Sequence, residues 1–203
     1  MTRADVAPAP VLMGDADLVL RARGGDREAA GELVARHRGA AYKLAFHLLG
    51  SREDALDVAQ EALLRFFSTL NRFDLSRPVR PWLLRIVHNL ARDLRRRDRV
   101  WRMEPLEQVA AYTPDQTENK NDPSALVETR DLRRRVWHVV HALEPIYREI
   151  LVLRDYEDLS YAEIAVVLHV PIGTVMSRLH RARVMVREAL PGAAPAGREG
   201  GCR

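Results

Sequence analysis

The chain contains a single cysteine, Cys202, close to its last residue. A disulfide framework and a cysteine-ligated zinc site are therefore excluded within the chain. Lysine is nearly absent: of 32 Lys and Arg residues, only Lys43 and Lys120 are lysines. The positive charge is thus almost entirely guanidinium, a planar group that pairs two hydrogen bonds at a time with phosphate and with guanine edges. Aromatic residues make up 6%, and no stretch sustains the period-two alternation of a strand, which argues against a sheet protein. No apolar run approaches the roughly 20 residues of a membrane span, and Met1 to Gly14 lacks the charged-then-apolar plan of a signal peptide. A cytoplasmic location is expected. Gly24-Gly25 and Gly200-Gly201 lack the flanking Lys and Ser/Thr of a phosphate-cradling loop. With 47% apolar residues, 30% charged residues and a net charge of +4, the composition fits a foldable, all-helical chain of one medium or two small domains.

What is present is clearest from Leu159 to Leu190, LSYAEIAVVLHVPIGTVMSRLHRARVMVREAL. Ser160 followed by Glu163 is a capping box and marks a helix start at about Tyr161. Ile164, Ala165 and Leu168 line one face of that helix. Val170-Pro171 and Gly173 are expected to break it, since a residue before proline is pushed out of helical geometry. A second helix follows, with Val175, Leu179, Ala182 and Val186 forming one buried stripe. Its remaining surface carries Ser177, Arg178, His180, Arg181, Arg183 and Arg187. An apolar back and a basic front, reached through a tight turn, are the requirements of a helix-turn-helix entering a major groove. The competing reading is a helical hairpin whose arginines are merely solvated.

Upstream, Gly24-Gly25 marks a break and Asp26 a helix cap, with Ala29, Leu33 and Val34 inward. Tyr42, Ala45, Phe46 and Leu49 continue a buried face to Gly50-Ser51. A helix from Arg52 to Leu70 buries Ala55, Val58, Ala59, Ala62, Leu63, Phe66 and Phe67, and shows Glu53, Asp54, Asp57, Gln60 and Glu61 on its other side. Asn71 to Pro81 reads as a loop stiffened by Pro78 and Pro81. Trp82 to Arg97 then forms a helix with Trp82, Leu83, Ile86, Val87, Leu90 and Leu94 inward and Arg85, Arg92, Arg95, Arg96 and Arg97 outward. A stiff basic loop leading into an arginine-lined helix is a second candidate nucleic-acid surface. Trp82 offers either a stacking platform or a core contact, and its spacing with Ile86 and Leu90 favours the core. From Met103 to Pro123 prolines alternate with acidic residues and no apolar period survives, as in a flexible linker. Helices resume at Ala125, with Leu132, Val136, Val139 and Leu143 on one stripe and Ile146, Ile150 and Leu153 on another.

Two further function classes need weighing. A stand-alone helix-turn-helix regulator would need a dimerising or sensing domain in the first half, where the sequence instead offers a basic loop and an arginine helix. An enzyme would need a chemical centre. His138 and His141 share a helix face, but no other ligand clusters with them, so neither a metal nor another cofactor is expected.

The strings DALDVAQEALLRFF, PVRPWLLRIVHNLARDLRRR, LSYAEIA and PIGTVMSRLHRAR, in this order, resemble the extracytoplasmic-function (ECF) sigma factors of bacterial RNA polymerase, from about Asp15 to Leu190. The resemblance implies two helical domains, region 2 over 15–99 and region 4 over 125–190. A flexible acidic linker over 100–124 joins them, and a disordered tail covers 191–203. It implies that the chain is no enzyme but an alternative sigma factor that directs core polymerase to promoters and helps to melt the minus-ten element. Asp54, Asp57, Gln60 and Glu61 would meet the clamp helices of the largest polymerase subunit, and the flap would be a second polymerase contact. Phe73, Arg77, Arg80, Arg85, Asn89, Arg92 and Arg95 would handle the minus-ten element, Asn89 either touching a flipped base or bracing the loop. Thr174, Ser177, Arg178, His180, Arg181 and Arg183 would read the minus-thirty-five element. An anti-sigma protein is the expected further partner, and no membrane contact is expected. Three positions depart from the family pattern: Met176 stands where a basic residue is usual, Val79 where an aromatic is usual, and Pro81 where a smaller residue is common.

Overall fold

The computed structural model describes residues 13–98 and 123–190. The leader through residue 12, nearly all of the expected linker, and the tail from 191 lie outside the described residues. Eight α-helices account for most of what is described, with no strand among the described residues. The first four are α1 (Asp15–Arg23), α2 (Arg27–Leu49), α3 (Arg52–Thr69) and α4 (Val79–Asp98). The second four are α5 (Pro123–Ala142), α6 (Pro145–Leu151), α7 (Tyr161–Leu168) and α8 (Ile172–Ala189).

The boundaries have local causes. Asp26 caps α2, its carboxylate accepting from the Glu28 and Ala29 amides at 2.9 and 3.1 Å. Those bonds to otherwise orphaned N–H groups hold its carboxyl below the usual range. Gly50 ends α2 with φ +78, a left-handed conformation that glycine adopts without steric cost. Ser51 then caps α3. A 3-10 turn, Leu70–Arg72, continues α3, and Arg23 of α1 holds it by donating to the carbonyls of Leu70 and Phe73.

Helix α4 begins at Val79, three residues before the expected start at Trp82. Pro81 therefore lies in its first turn, where the missing N–H would have had no helical partner in any case. Phe73, expected in an open basic loop, is instead buried against Trp82, with ring centroids 4.8 Å apart.

The N-terminal core is built where α2 packs on α1, α3 and α4, with Leu33, Leu44, Phe46, Phe66, Leu83 and Leu84 almost wholly enclosed. In the second half α8 packs on α6, α7 and α5 around Ile150, Leu153, Ile164, Val175 and Leu179. Leu132 and Ile146, both expected inward, are exposed. Between α6 and α7 the chain makes a π turn, Val152–Tyr156, in which the Glu157 amide donates to the Val152 carbonyl at 3.1 Å. The two halves pack on each other: α4 lies against α7, and α2 against α6 and the π turn.

Candidate nucleic-acid interface

The pair α7–α8 forms as the capping box requires. Ser160 Oγ accepts from the Glu163 amide at 3.3 Å, and the Glu163 carboxylate accepts from the Ser160 amide at 2.8 Å. His169 ends α7 in the left-handed region at φ 54, and Pro171 precedes the first residue of α8. Gly173 lies inside the first turn of α8, so His169 to Pro171 makes the break and Gly173 takes no part in it. The axes meet at 100°, within the range of a helix-turn-helix. Val175, Leu179 and Ala182 are buried, while Ser177, His180, Arg181 and Arg183 are exposed and Thr174 and Arg178 half-buried. Met176 is 54% exposed on this face. Arg183 is already engaged, donating to Asp155 of the π turn at 2.5 Å.

The second surface lies on α4. Arg85 and Asn89 line an open pocket of about 370 Å³ together with Trp82, Ile86, Arg65 and Thr69. Trp82 is a core contact, as its spacing favours. Its ring packs on Phe66 and Phe73 and also walls the pocket. Arg65, Thr69 and Ile86 were not among the expected site residues: Arg65 and Thr69 come from a separate helix, α3, and Ile86 read as a core position. Arg77 is exposed and paired with Asp74 at 3.3 Å, and Arg92 is exposed. Arg80 donates to Glu157 at 2.5 Å, and Arg95 lies 3.9 Å from Glu149.

The third surface is the outer face of α3. Asp57 and Gln60 are exposed, and Asp54 and Glu61 half-buried. Glu61 pairs with Arg65 one turn on, at 2.7 Å. Leu56 and Leu64, 59% and 60% exposed, share the helix's outer side with these polar groups. The sequence signal for them is two leucines off the buried stripe.

Sequence periodicity gave no sign of the seam between the halves. Trp137 of α5 stacks on Phe46 and lies near His47 of α2, with centroids 4.9 and 4.7 Å apart. His47 also meets Tyr156 of the π turn at 4.4 Å. His141 stacks on Trp137 at 3.7 Å, while His138 is exposed, so the two histidines are not presented together. Among the described residues no group of three or more His, Cys, Asp or Glu side chains is placed to hold a metal ion. Burial, reinforced by facing cations, pushes His47 down to about 3 and His141 to about 4. Burial also raises Glu157, against the pull of Arg80.

Comparison with known proteins fits this arrangement. The family model for sigma-70 region 2 matches residues 33–101 and that for sigma-70 region 4 matches residues 133–186. The ECF RNA polymerase sigma factor SigW of Bacillus subtilis is 31% identical over 175 residues, covering 82% of this chain and 91% of that protein. The ECF RNA polymerase sigma-E factor of Escherichia coli K12 is 31% identical over 175 residues, covering 83% and 90%. Among solved structures, CnrH in complex with the cytosolic domain of CnrY superimposes with a TM-score of 0.64 at 30% identity, over 89% of this chain and 99% of that one. The sigma factor RpoE, solved with the anti-sigma factor NepR from Bartonella quintana, gives the same score at 22% identity over 81% and 98%, a likeness of fold alone. The helix-turn-helix, the arginine-lined helix and both region matches converge: this chain belongs to the ECF sigma factors of the sigma-70 family, the alternative sigma factors that direct bacterial RNA polymerase to promoters.

Proposed function

We propose that the three surfaces divide the work of promoter opening. The outer face of α3, with Asp54, Asp57, Gln60 and Glu61 around Leu56 and Leu64, docks on the clamp helices of the polymerase. The exposed face of α8 reads the minus-thirty-five element, where each good bidentate arginine–guanine contact contributes about 1–3 kcal/mol of discrimination. The pocket on α4 receives an unpaired base of the minus-ten element. Extruding a base costs a few kcal/mol, and stacking on an aromatic platform such as Trp82 returns about 1–3 kcal/mol. Arg77, Arg80, Arg85, Arg92 and Arg95 hold the backbone of the opened strand. Phe73 supports the platform from below.

Neither DNA contact need be strong alone, since joining them on one polymerase raises the effective concentration of each. The chain carries no catalysis of its own and acts in the cytoplasm. An anti-sigma protein holds it when it is not needed. The acidic linker runs through the polymerase between the two regions.

The single observation that carries this reading is the open pocket lined by Arg65, Thr69, Trp82, Arg85, Ile86 and Asn89. A duplex-binding regulator has no use for a base-sized recess on a second basic helix. The test is transcription by core polymerase lacking any sigma factor. Adding the purified chain should yield transcripts from defined start sites. Retarded duplex without transcript would favour the stand-alone regulator.

A further inference from the structure

Arg183 of α8 is tied to another element by an ion pair. Its Nη2 donates to Asp155 Oδ1 at 2.5 Å and its Nε to Oδ2 at 3.4 Å, the two-bond geometry in which a guanidinium holds a carboxylate most firmly. Asp155 belongs to the π turn, which is itself braced. The Leu159 amide donates to the Leu153 carbonyl at 3.0 Å, and Arg154 donates to the Leu159 carbonyl at 2.8 Å. The Arg154 guanidinium also sits 5.4 Å over the ring of Tyr161, the first residue of α7. Asp155 is the largest cause holding Arg183 above the ordinary guanidinium range, and Tyr161 adds a smaller pull. Arg183 thus ends on a frame made by the π turn and the start of α7. All of these groups lie within the second half, so the contact does not depend on how that half meets the first.

The place of Arg183 on the helix points the same way. The buried residues Val175, Leu179 and Ala182 mark the back of α8. At about 100° per residue, Ser177, His180 and Arg181 fall within about 50° of the opposite side, whereas Arg183 falls about 110° from it. A side chain so far round flanks the face presented to a groove and reaches back along the protein. Arg183 is 46% and Asp155 36% exposed, so the pair sits at the rim of the domain. An exposed pair adds little stability. Its effect is on placement, since two parallel bonds fix an angle as well as a distance.

We propose that Arg183 is a positioning residue: through Asp155 it sets α8 against the π turn and α7, and it does not itself contact the upstream element. Thr174, Ser177, Arg178, His180 and Arg181 are left to do so. This role rests on reading α8 as the recognition helix, and it takes Arg183 out of the set that the sequence assigned to the minus-thirty-five element. The two assignments make opposite demands on Asp155. Were Arg183 to hold a phosphate or a base, Asp155 would be a competitor, and neutralising it would free the arginine and tighten binding. As an anchor, Asp155 is required, and neutralising it loosens the frame on which α8 is held.

The test is transcription by core polymerase with the full chain, from a promoter pool randomised across the upstream element. Asp155→Asn and Arg183→Gln should each flatten base preference at several positions together, by about threefold, the scale of one well-formed surface ion pair. The double variant should flatten it no further, since both changes remove the same contact. Exchanging the charges, Asp155→Arg with Arg183→Asp, re-forms the pair and should recover most of the lost discrimination. Loss of preference at a single base pair in Arg183→Gln alone is the behaviour of a direct reader and would overturn the proposal. Tighter promoter binding by Asp155→Asn would overturn it as well. Salt dependence gives a second criterion. One phosphate contact contributes a slope of about one in log affinity against log salt. Arg183→Gln should leave the slope of promoter binding unchanged, and a slope reduced by about one would count against positioning. A pair that only holds the fold together would lower transcript yield while the remaining active molecules keep their base preference, and that result too would overturn the proposal. If the wild-type chain shows no upstream preference with core polymerase, the reading of α8 fails. If it shows one and the Arg183 variant behaves as a direct reader, only the positioning role fails.

Discussion

The Arg80 guanidinium meets the Glu157 carboxylate at 2.5 Å across 77 positions of sequence, with Arg80 42% exposed and Glu157 almost wholly enclosed. That asymmetry makes the pair one-sided: removing the arginine strands a charge, whereas removing the charge strands little.

Arg80→Ala should therefore destabilise the compact chain. A fully buried pair would lose about 3–5 kcal/mol. Half-exposure of Arg80, and the option of rehydrating Glu157 by opening the seam, bring the expected loss to about 2 kcal/mol. Adding Glu157→Gln to Arg80→Ala should restore most of it. Urea unfolding followed by far-ultraviolet circular dichroism measures both, and equal stability of the single and double variants would contradict the account.

Acid should loosen the seam. His47 and His141 titrate at about 3 and about 4 when packed, against an ordinary 6.5 once solvated. The packed state takes up fewer protons, so their stabilising contribution is complete above pH 6.5 and is lost as pH falls toward 4. The groups facing them are Lys43, Arg148, His138 and Tyr156, of which Arg148 is lowered by burial only to about 10 and stays cationic throughout. Glu157 works the other way, since burial raises its pKa and protonation relieves that cost. Two histidines with large shifts stand against this one carboxylate. The radius of gyration should grow between about pH 7 and about pH 5, and His47→Gln/His141→Gln should flatten the profile.

Met176 sits exposed among the polar groups of α8. Met176→Arg should change base preference in the upstream element by about 1–3 kcal/mol at one position while leaving strand opening unaltered. Transcription from a promoter pool randomised upstream reads both effects. An unmoved preference would mean that the recognition face is misplaced.

Leu56→Gln/Leu64→Gln should weaken polymerase binding by about tenfold or more, as expected when apolar contacts are lost from the middle of an interface. Both side chains are mostly exposed, so stability should stay within about 0.5 kcal/mol. Fluorescence anisotropy with core polymerase gives the first quantity and thermal unfolding the second.

The sequence was most readable where local chemistry decides the outcome. Asp26 and the Ser160–Glu163 box each cap the helix that their positions imply, and the buried stripe of α8 follows its periodicity. It was less readable where one rule gave way to another. Pro81 looked like the end of a loop, but a proline within the first helical turn breaks no bond. Phe73 read as a loop residue for the minus-ten element, and nothing nearby in sequence shows that it is buried against Trp82. Leu132 and Ile146 fit an apolar stripe and are nonetheless exposed. The seam left no trace. Glu149, Asp155 and Glu157 are ordinary surface residues by pattern, and their partners lie in other helices 28 to 77 positions away.

The π turn at Val152–Tyr156 also sets a spacing. It carries one residue more than an α-helical turn would, and only Glu157 to Ser160 separate it from α7. Deleting a single residue there would leave each downstream helix able to form from its own sequence while shortening the connection that seats α7 and α8 against α6. The length of this turn thus helps to fix where the basic face of α8 is presented, although none of its five residues belongs to that helix.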